Sequence, residues 1–160
     1  MSVSADKLNE LNAEQRRILD GYSESLAKYC IGAISGTLIL VGFLVNSGHA
    51  KALRTHGLLL LLILVWGFFS ASAIFALMCK KWNGYYITHF ANQQGLEFLL
   101  EVKNVDDNKR QEVNDRLRSY KSKENIYFWL FKNGQRAAEV CAGLGLLFLF
   151  FFVIKLLLTF

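Results

Sequence analysis

Charged residues are missing from three long stretches of the chain, and this pattern predicts three membrane-spanning helices. No Asp, Glu, Lys or Arg occurs in residues 29–50 or 57–79, and only Lys155 follows Glu139. A helix needs about 20 consecutive apolar residues to cross the hydrocarbon core of a bilayer. We therefore predict transmembrane helices over 29–47, 57–79 and 140–160.

The segments outside these spans also have helical patterns. In residues 1–28, one face repeats at alternating spacings of three and four, which is typical of a helix that packs on a partner helix. Its apolar members form a predicted partner seam, interrupted by Gln15 and Ser25: Leu8, Leu11, Ile18 and Tyr22.

Residues 80–139 predict an extension of the second span, a break near 105–108, and a further helical segment leading into the third span. The predicted fold class is therefore all-α, an integral membrane protein with three transmembrane helices. Residues 1–28 and 80–139 would form a small cytoplasmic helical bundle, and the whole chain, 1–160, would be a single membrane domain.

Composition and charge support a membrane protein and predict its orientation. Of the 160 residues, 53% are hydrophobic and 19% are charged, whereas soluble domains have roughly 25% charged residues. Residues 80–136 contain eleven basic and seven acidic side chains. Because basic segments stay on the cytoplasmic side, we predict a plasma (inner) membrane protein with a cytoplasmic N-terminus and an external C-terminus. A modest basic excess beside a membrane sets orientation, so no nucleic-acid partner is expected.

Small residues recur in the predicted cytoplasmic half of every span. Such residues let helix backbones approach closely, and this packing drives helix association in lipid. They either pack the helices of one monomer or form a self-assembly face, for example around a pore, and the sequence leaves both interpretations open. The predicted packing and assembly residues are Gly32, Ser35, Gly36, Ser70, Ala73, Ala142, Gly143 and Gly145.

The spans lack the groups that transport or catalysis requires. No ionisable residue lies in mid-span, where transporters and proton relays need one. Glu139 lies at a predicted boundary, and we expect it to pair locally with Arg136. No nucleophile–base set, phosphate-binding loop or metal-ligand spacing occurs, so we expect no enzyme activity, no cofactor and no metal. We expect the three histidines, His49, His56 and His89, to be solvated.

A basic segment before the third span is the one candidate for ligand contact. It contains Lys109, Arg110, Arg116 and Arg118, interleaved with acidic residues. Alternating charges are typical of a solvated helix face. The alternative is contact with an anion, which would be a lipid headgroup, a small anionic ligand such as a nucleotide, or an acidic protein partner.

The layout resembles that of the small membrane effectors of bacterial defence systems, although it shares no motif with them. The sequence thus favours a homo-oligomeric membrane effector or pore-like protein, controlled through its cytoplasmic helices. The alternative is a non-catalytic subunit or scaffold of a larger membrane complex. The expected partners are the lipid bilayer, further copies of the chain and a cytoplasmic protein.

Overall fold

Three long helices make up most of the protein. The structure is a computed structural model that describes residues 5–48, 53, 57–102 and 107–159. Within this part, α1 is Ala5–Asn46, α2 is Leu58–Val102 and α3 is Asp107–Leu157. Each helix is long and apolar enough to span a membrane. The prediction of an all-helical protein with three such helices is confirmed.

Each helix is much longer than one predicted span. The three contain 42, 45 and 51 residues, or about 63 to 77 Å at 1.5 Å per residue, against about 30 Å of hydrocarbon. The chain contains no proline, the residue that most often breaks or kinks a helix. Neither Gly84 nor Gly95 interrupts α2. The apolar spans and their polar extensions are thus continuous helices.

Two glycines bracket the connection between α1 and α2. Gly48 has φ of 84° and follows the end of α1, where its amide donates to the carbonyl oxygen of Val45. Gly57 has φ of 67° and directly precedes α2. Glycine adopts this left-handed conformation without steric cost and commonly terminates helices. The two positions therefore fix where α1 ends and α2 begins.

The chain divides into two compact units. The first unit comprises residues 1–20 and 78–133, and the second comprises residues 21–77 and 134–160. All three helices contribute residues to each unit. The charged and aromatic segments belong to the first unit, and the long apolar stretches belong to the second.

The core of the second unit changes from small to large side chains along the helices. One cluster is made of Ala27, Ala76 and Ala138, one from each helix. The next contains Cys30, Val65, Phe69 and Ala73. The last contains the bulkiest side chains: Leu44, Leu53, Leu58, Leu62 and Phe152. The helices thus have room to approach most closely at the alanine cluster.

The first unit is held by aromatic contacts between α2 and α3. The ring of His89 stacks on Tyr127 at 5.4 Å and lies 5.7 Å from Tyr120. Tyr85 lies 5.1 Å from Tyr127. The expectation that His89 is solvated is wrong, because the ring is half-buried on the inner face of α2. His49 and His56 lie outside the described residues.

Candidate functional site

A chain of hydrogen bonds joins all three helices inside the second unit. The thiol of Cys30 donates to Ser72 Oγ at 3.4 Å, and Ser72 Oγ donates to the carbonyl oxygen of Ala138 at 2.7 Å. Ser72 is fully buried, and Cys30 and Ala138 are nearly so. Buried polar groups are costly unless they are paired. These bonds therefore fix α1, α2 and α3 against one another at one level of the core.

A second buried contact joins α1 to α2. Trp66 Nε1 donates to Thr37 Oγ1 at 2.7 Å. The hydroxyl of Thr37 lies within hydrogen-bond distance of the carbonyl oxygens of Ala33 and Ile34. The hydroxyl thus accepts from the indole while it donates to its own helix. An indole N–H in an apolar core needs such a partner, and Thr37 supplies it.

The carboxylate of Glu139 forms a polar contact between α1 and α3. Tyr22 Oη donates to Glu139 Oε1 at 3.1 Å, and Gln135 Nε2 donates to the same oxygen at 3.3 Å. The expected local pair with Arg136 is wrong. The tyrosine of a neighbouring helix reaches the carboxylate instead, and the sequence could not reveal this because 117 residues separate the two.

One face of α1, distinct from its buried residues, is exposed along the second unit. Its residues recur at spacings of three and four, and none of them carries a charge. The large side chains on it are 77% exposed at Tyr29, 75% at Ile39 and 69% at Phe43. We call this face the exposed α1 stripe: Tyr22, Ser25, Tyr29, Gly32, Gly36, Ile39, Phe43 and Asn46. In the sequence, the same spacing extends back through Ile18, Gln15 and Leu11 to Leu8.

The exposed α1 stripe is separate from the face of α1 that packs in the core. Ser23, Ala27, Cys30, Thr37 and Leu44 are buried and also recur at a mean spacing of about 3.5 residues. A single apolar face of a helix packs against a single set of neighbours. The exposed α1 stripe is a second uncharged face, so a further helix could pack against α1 there.

The small residues predicted for packing fall into two groups. Ala73 and Gly145 are buried and Ala142 is half-buried, so these three pack within the chain. A Cβ atom on Gly145 would lie 3.0 Å from two ring carbons of Phe69. The exposed members are Gly32, Ser35, Gly36, Ser70 and Gly143.

The exposed glycines have no packing role among the described residues. A Cβ atom on Gly32, Gly36 or Gly143 would meet nothing within 4 Å. The hydroxyl of Ser35 donates to the carbonyl oxygen of Ile31 in its own helix, so it needs no other partner. Contacts among the described residues therefore do not explain the Gly32-x3-Gly36 pair.

The predicted partner seam lies on α1, partly in each unit. Ile18 is 64% exposed, and Tyr22 is more than two-fifths exposed while it bonds to Glu139. Leu8 and Leu11 belong to α1, but their side chains lie outside the described part of the structure. Ile18 is thus exposed, and Tyr22 is partly exposed while it contacts α3 through Glu139.

The predicted anion residues are all exposed on α3 and differ in their partners. Arg116 forms an ion pair with Glu112 at 2.7 Å. Arg110 and Arg118 have no ion-pair partner among the described residues and line a hollow of about 380 Å³ with Asn114. Lys109 is exposed and does not line it. Sequence reasoning missed Asn114, which the pattern of charges does not mark.

No cluster of metal ligands is present in the described ranges 5–48, 57–102 and 107–159. A comparison with protein families, curated proteins and solved structures finds no match for this chain.

Proposed function

We propose that this protein is a homo-oligomeric integral membrane protein that assembles through the exposed α1 stripe. The observation that carries the proposal is an uncharged face, repeating every 3.5 residues, whose members are all exposed; at one end of this face, Tyr22 bonds to Glu139 within the chain. Helices with such a repeat pack by inserting side chains between those of a neighbouring helix. A matching helix from outside the chain would therefore cover this face.

A second copy of α1 fits this face better than a different chain does. Copies inserted with the same orientation place their α1 helices parallel, and a two-fold axis sets each stripe residue near its own equivalent. The stripe contains no charge that would repel its copy. Two of its polar side chains, Ser25 and Asn46, each contain both donors and acceptors, so each can bond to its own equivalent across the axis, whereas Tyr22 is bonded to Glu139.

The exposed glycines favour close contact between the copies. Gly32 and Gly36 are one helical turn apart on the same face, the spacing of the GxxxG motif through which membrane helices associate. Tyr29 and Ile39 lie on either side of the glycine pair, and their exposed side chains would pack against the partner helix. This arrangement supports a contact centred on Gly32 and Gly36.

In this proposal the protein lies in the plasma (inner) membrane with a cytoplasmic N-terminus and an external C-terminus. The basic excess of residues 80–136 supports this orientation. The first unit would then be the cytoplasmic bundle, and the second unit would lie in the bilayer.

A pore-like effector role follows from the same assembly. The core of the second unit is filled by apolar side chains, so any permeation path would run between copies. Gly32, Ser35 and Gly36 line the proposed contact, and their small size leaves room for water when the contact loosens. The first unit would control this step, because it contains the helical segments in contact with the cytoplasm.

The decisive test is the mass of the particle in lipid nanodiscs. We expect a closed oligomer for the natural chain and a monomer for Gly36→Leu, because the added side chain holds the helices apart. The control is Gly67→Leu, on an exposed position of α2 where a Cβ atom also meets nothing within 4 Å. This variant should keep the oligomer.

Ion flux from liposomes then tests the effector role. The natural chain and Gly67→Leu should release trapped ions, and Gly36→Leu should reduce the release at least tenfold. A monomeric natural chain would overturn the proposal. A different chain that copurifies in a fixed ratio would instead support the non-catalytic subunit or scaffold.

A further inference from the structure

The first unit carries a basic hollow on α3 that the proposed assembly does not use. Its volume is about 380 Å³, and it is lined by Arg110, Gln111, Asn114, Asp115 and Arg118. We propose that this hollow binds an anion carrying two or more phosphoryl groups, held between Arg110 and Arg118. This binding is a property of the first unit and goes beyond the proposed assembly.

The charges around the hollow leave both arginines available. Arg116, on the neighbouring side of α3, is already paired with Glu112 at 2.7 Å. Arg110 and Arg118 have no such partner in the part of the chain that the structure describes. Asp115 also lines the hollow and reduces its formal charge from +2 to +1. Because each of the two guanidinium groups can still pair with one negative group, a ligand with several negative charges would gain more here than a monovalent anion.

The helical spacing places the donors along one side of α3. Arg110, Asn114 and Arg118 are separated by four residues each, so they lie one above another. Eight residues correspond to about 12 Å along the helix, and the Asn114 amide lies between the two arginines. Each guanidinium can bind one phosphoryl group through two parallel hydrogen bonds. The spacing thus suits a ligand that presents phosphoryl groups to both arginines.

Such a ligand is either a free phosphorylated molecule or a phospholipid headgroup, since both present the same chemistry. For the free source, the probe is inorganic pyrophosphate, titrated calorimetrically into the full chain in phosphatidylcholine nanodiscs. For the lipid source, the probe is a phosphatidylcholine vesicle containing cardiolipin, a lipid that carries two phosphates, and cosedimentation of the loaded nanodiscs is measured. Pure phosphatidylcholine vesicles give the background.

The variant pair separates a specific site from general attraction. Arg110→Gln/Arg118→Gln removes both proposed ligands, and Lys123→Gln/Lys132→Gln removes the same charge from exposed positions of α3 outside the hollow. We expect the arginine variant to weaken binding of one probe at least tenfold, and the lysine variant to weaken it less than threefold.

The outcomes identify the source or overturn the site. Loss of pyrophosphate binding assigns a free ligand, and loss of vesicle binding alone assigns a headgroup. Equal losses of binding in the two variants would show that only net charge matters and would overturn the site. Absence of binding to either probe would also overturn the proposal. Repeating the titration in Gly36→Leu keeps the two proposals distinguishable, since binding at the hollow should survive loss of the oligomer.

Discussion

Glycine serves two different purposes in the second unit. Gly145 on α3 is buried beneath the ring of Phe69, and a Cβ atom there would lie 3.0 Å from ring carbons. Gly32 and Gly36 on α1 are exposed, and a Cβ atom on either meets nothing within 4 Å. Contacts within the chain thus require that residue 145 has no side chain larger than that of glycine. At Gly32 and Gly36, no contact among the described residues requires a small side chain, and in the proposed assembly a neighbouring copy would require it.

Larger side chains at both kinds of glycine position test this difference most directly. Gly145→Leu should lower the free energy of unfolding by about 2–3 kcal/mol, because overpacking a core forces side chains and backbone to shift. Phe69 cannot swing away easily, since it is itself buried. The measurement is reversible unfolding in mixed micelles with increasing dodecyl sulfate.

Gly143→Leu is the matched control for this experiment. It makes the same change two residues away, on an exposed position where a Cβ atom has no contact within 4 Å. Its free energy of unfolding should stay within about 0.5 kcal/mol of the natural chain, as surface substitutions usually do. Equal losses in the two variants would refute the assignment of Gly145 to the core.

A milder substitution tests the other half of the comparison. In Gly32→Ala/Gly36→Ala we expect the oligomer to dissociate at least tenfold more readily, about 1.4 kcal/mol, because the helices can no longer approach as closely. Stability of the monomer should stay the same or rise, since alanine favours the helix more than glycine does. Concentration-dependent energy transfer between labelled chains gives the dissociation constant. An unchanged constant would place the interface elsewhere.

The sequence reveals the helices far better than it reveals their faces. Missing charges mark each apolar stretch, and the absence of proline allows the polar extensions to continue as helix. The small residues could be found in the same way. Whether a small residue faces the core or the outside depends on how its helix is rotated about its own axis. A span whose surface is apolar on all sides gives no sign of that rotation.

Contacts between distant residues were equally hidden. Glu139 bonds to Tyr22 across 117 residues, while the neighbouring Arg136 was the obvious partner in the sequence. The sequence predicts a solvated His89, since it does not show that Tyr120 and Tyr127 of another helix contact the ring. On α3, the pattern marked the arginines but gave no sign of the hollow that distinguishes Arg110 and Arg118 from Arg116.

The hydrogen bonds that join Ser72 of α2 to the two neighbouring helices allow a third prediction, of intermediate size. Ser72→Ala removes the hydroxyl that accepts from Cys30 and donates to Ala138. We expect a loss of about 1 kcal/mol in the free energy of unfolding, within the range measured for hydrogen bonds between membrane helices. The oligomer should persist, since Ser72 is buried in the core. Ser70→Ala, on an exposed position of α2, is the control and should change neither quantity.

The smallest expected effect concerns Thr37, which lies on the buried face of α1. Thr37→Val keeps the shape of the side chain but removes the oxygen that accepts from Trp66 Nε1 at 2.7 Å. Hydrogen bonds inside membrane proteins contribute about 0.6 kcal/mol on average, and we expect a loss of that order. Trp66→Phe should cost more on its own, because it also removes apolar contacts of the indole with the core, and the double variant should cost less than the sum, because the two changes remove the same bond. Strictly additive losses would mean that the indole does not depend on Thr37, and that shape alone holds α1 against α2 at this level.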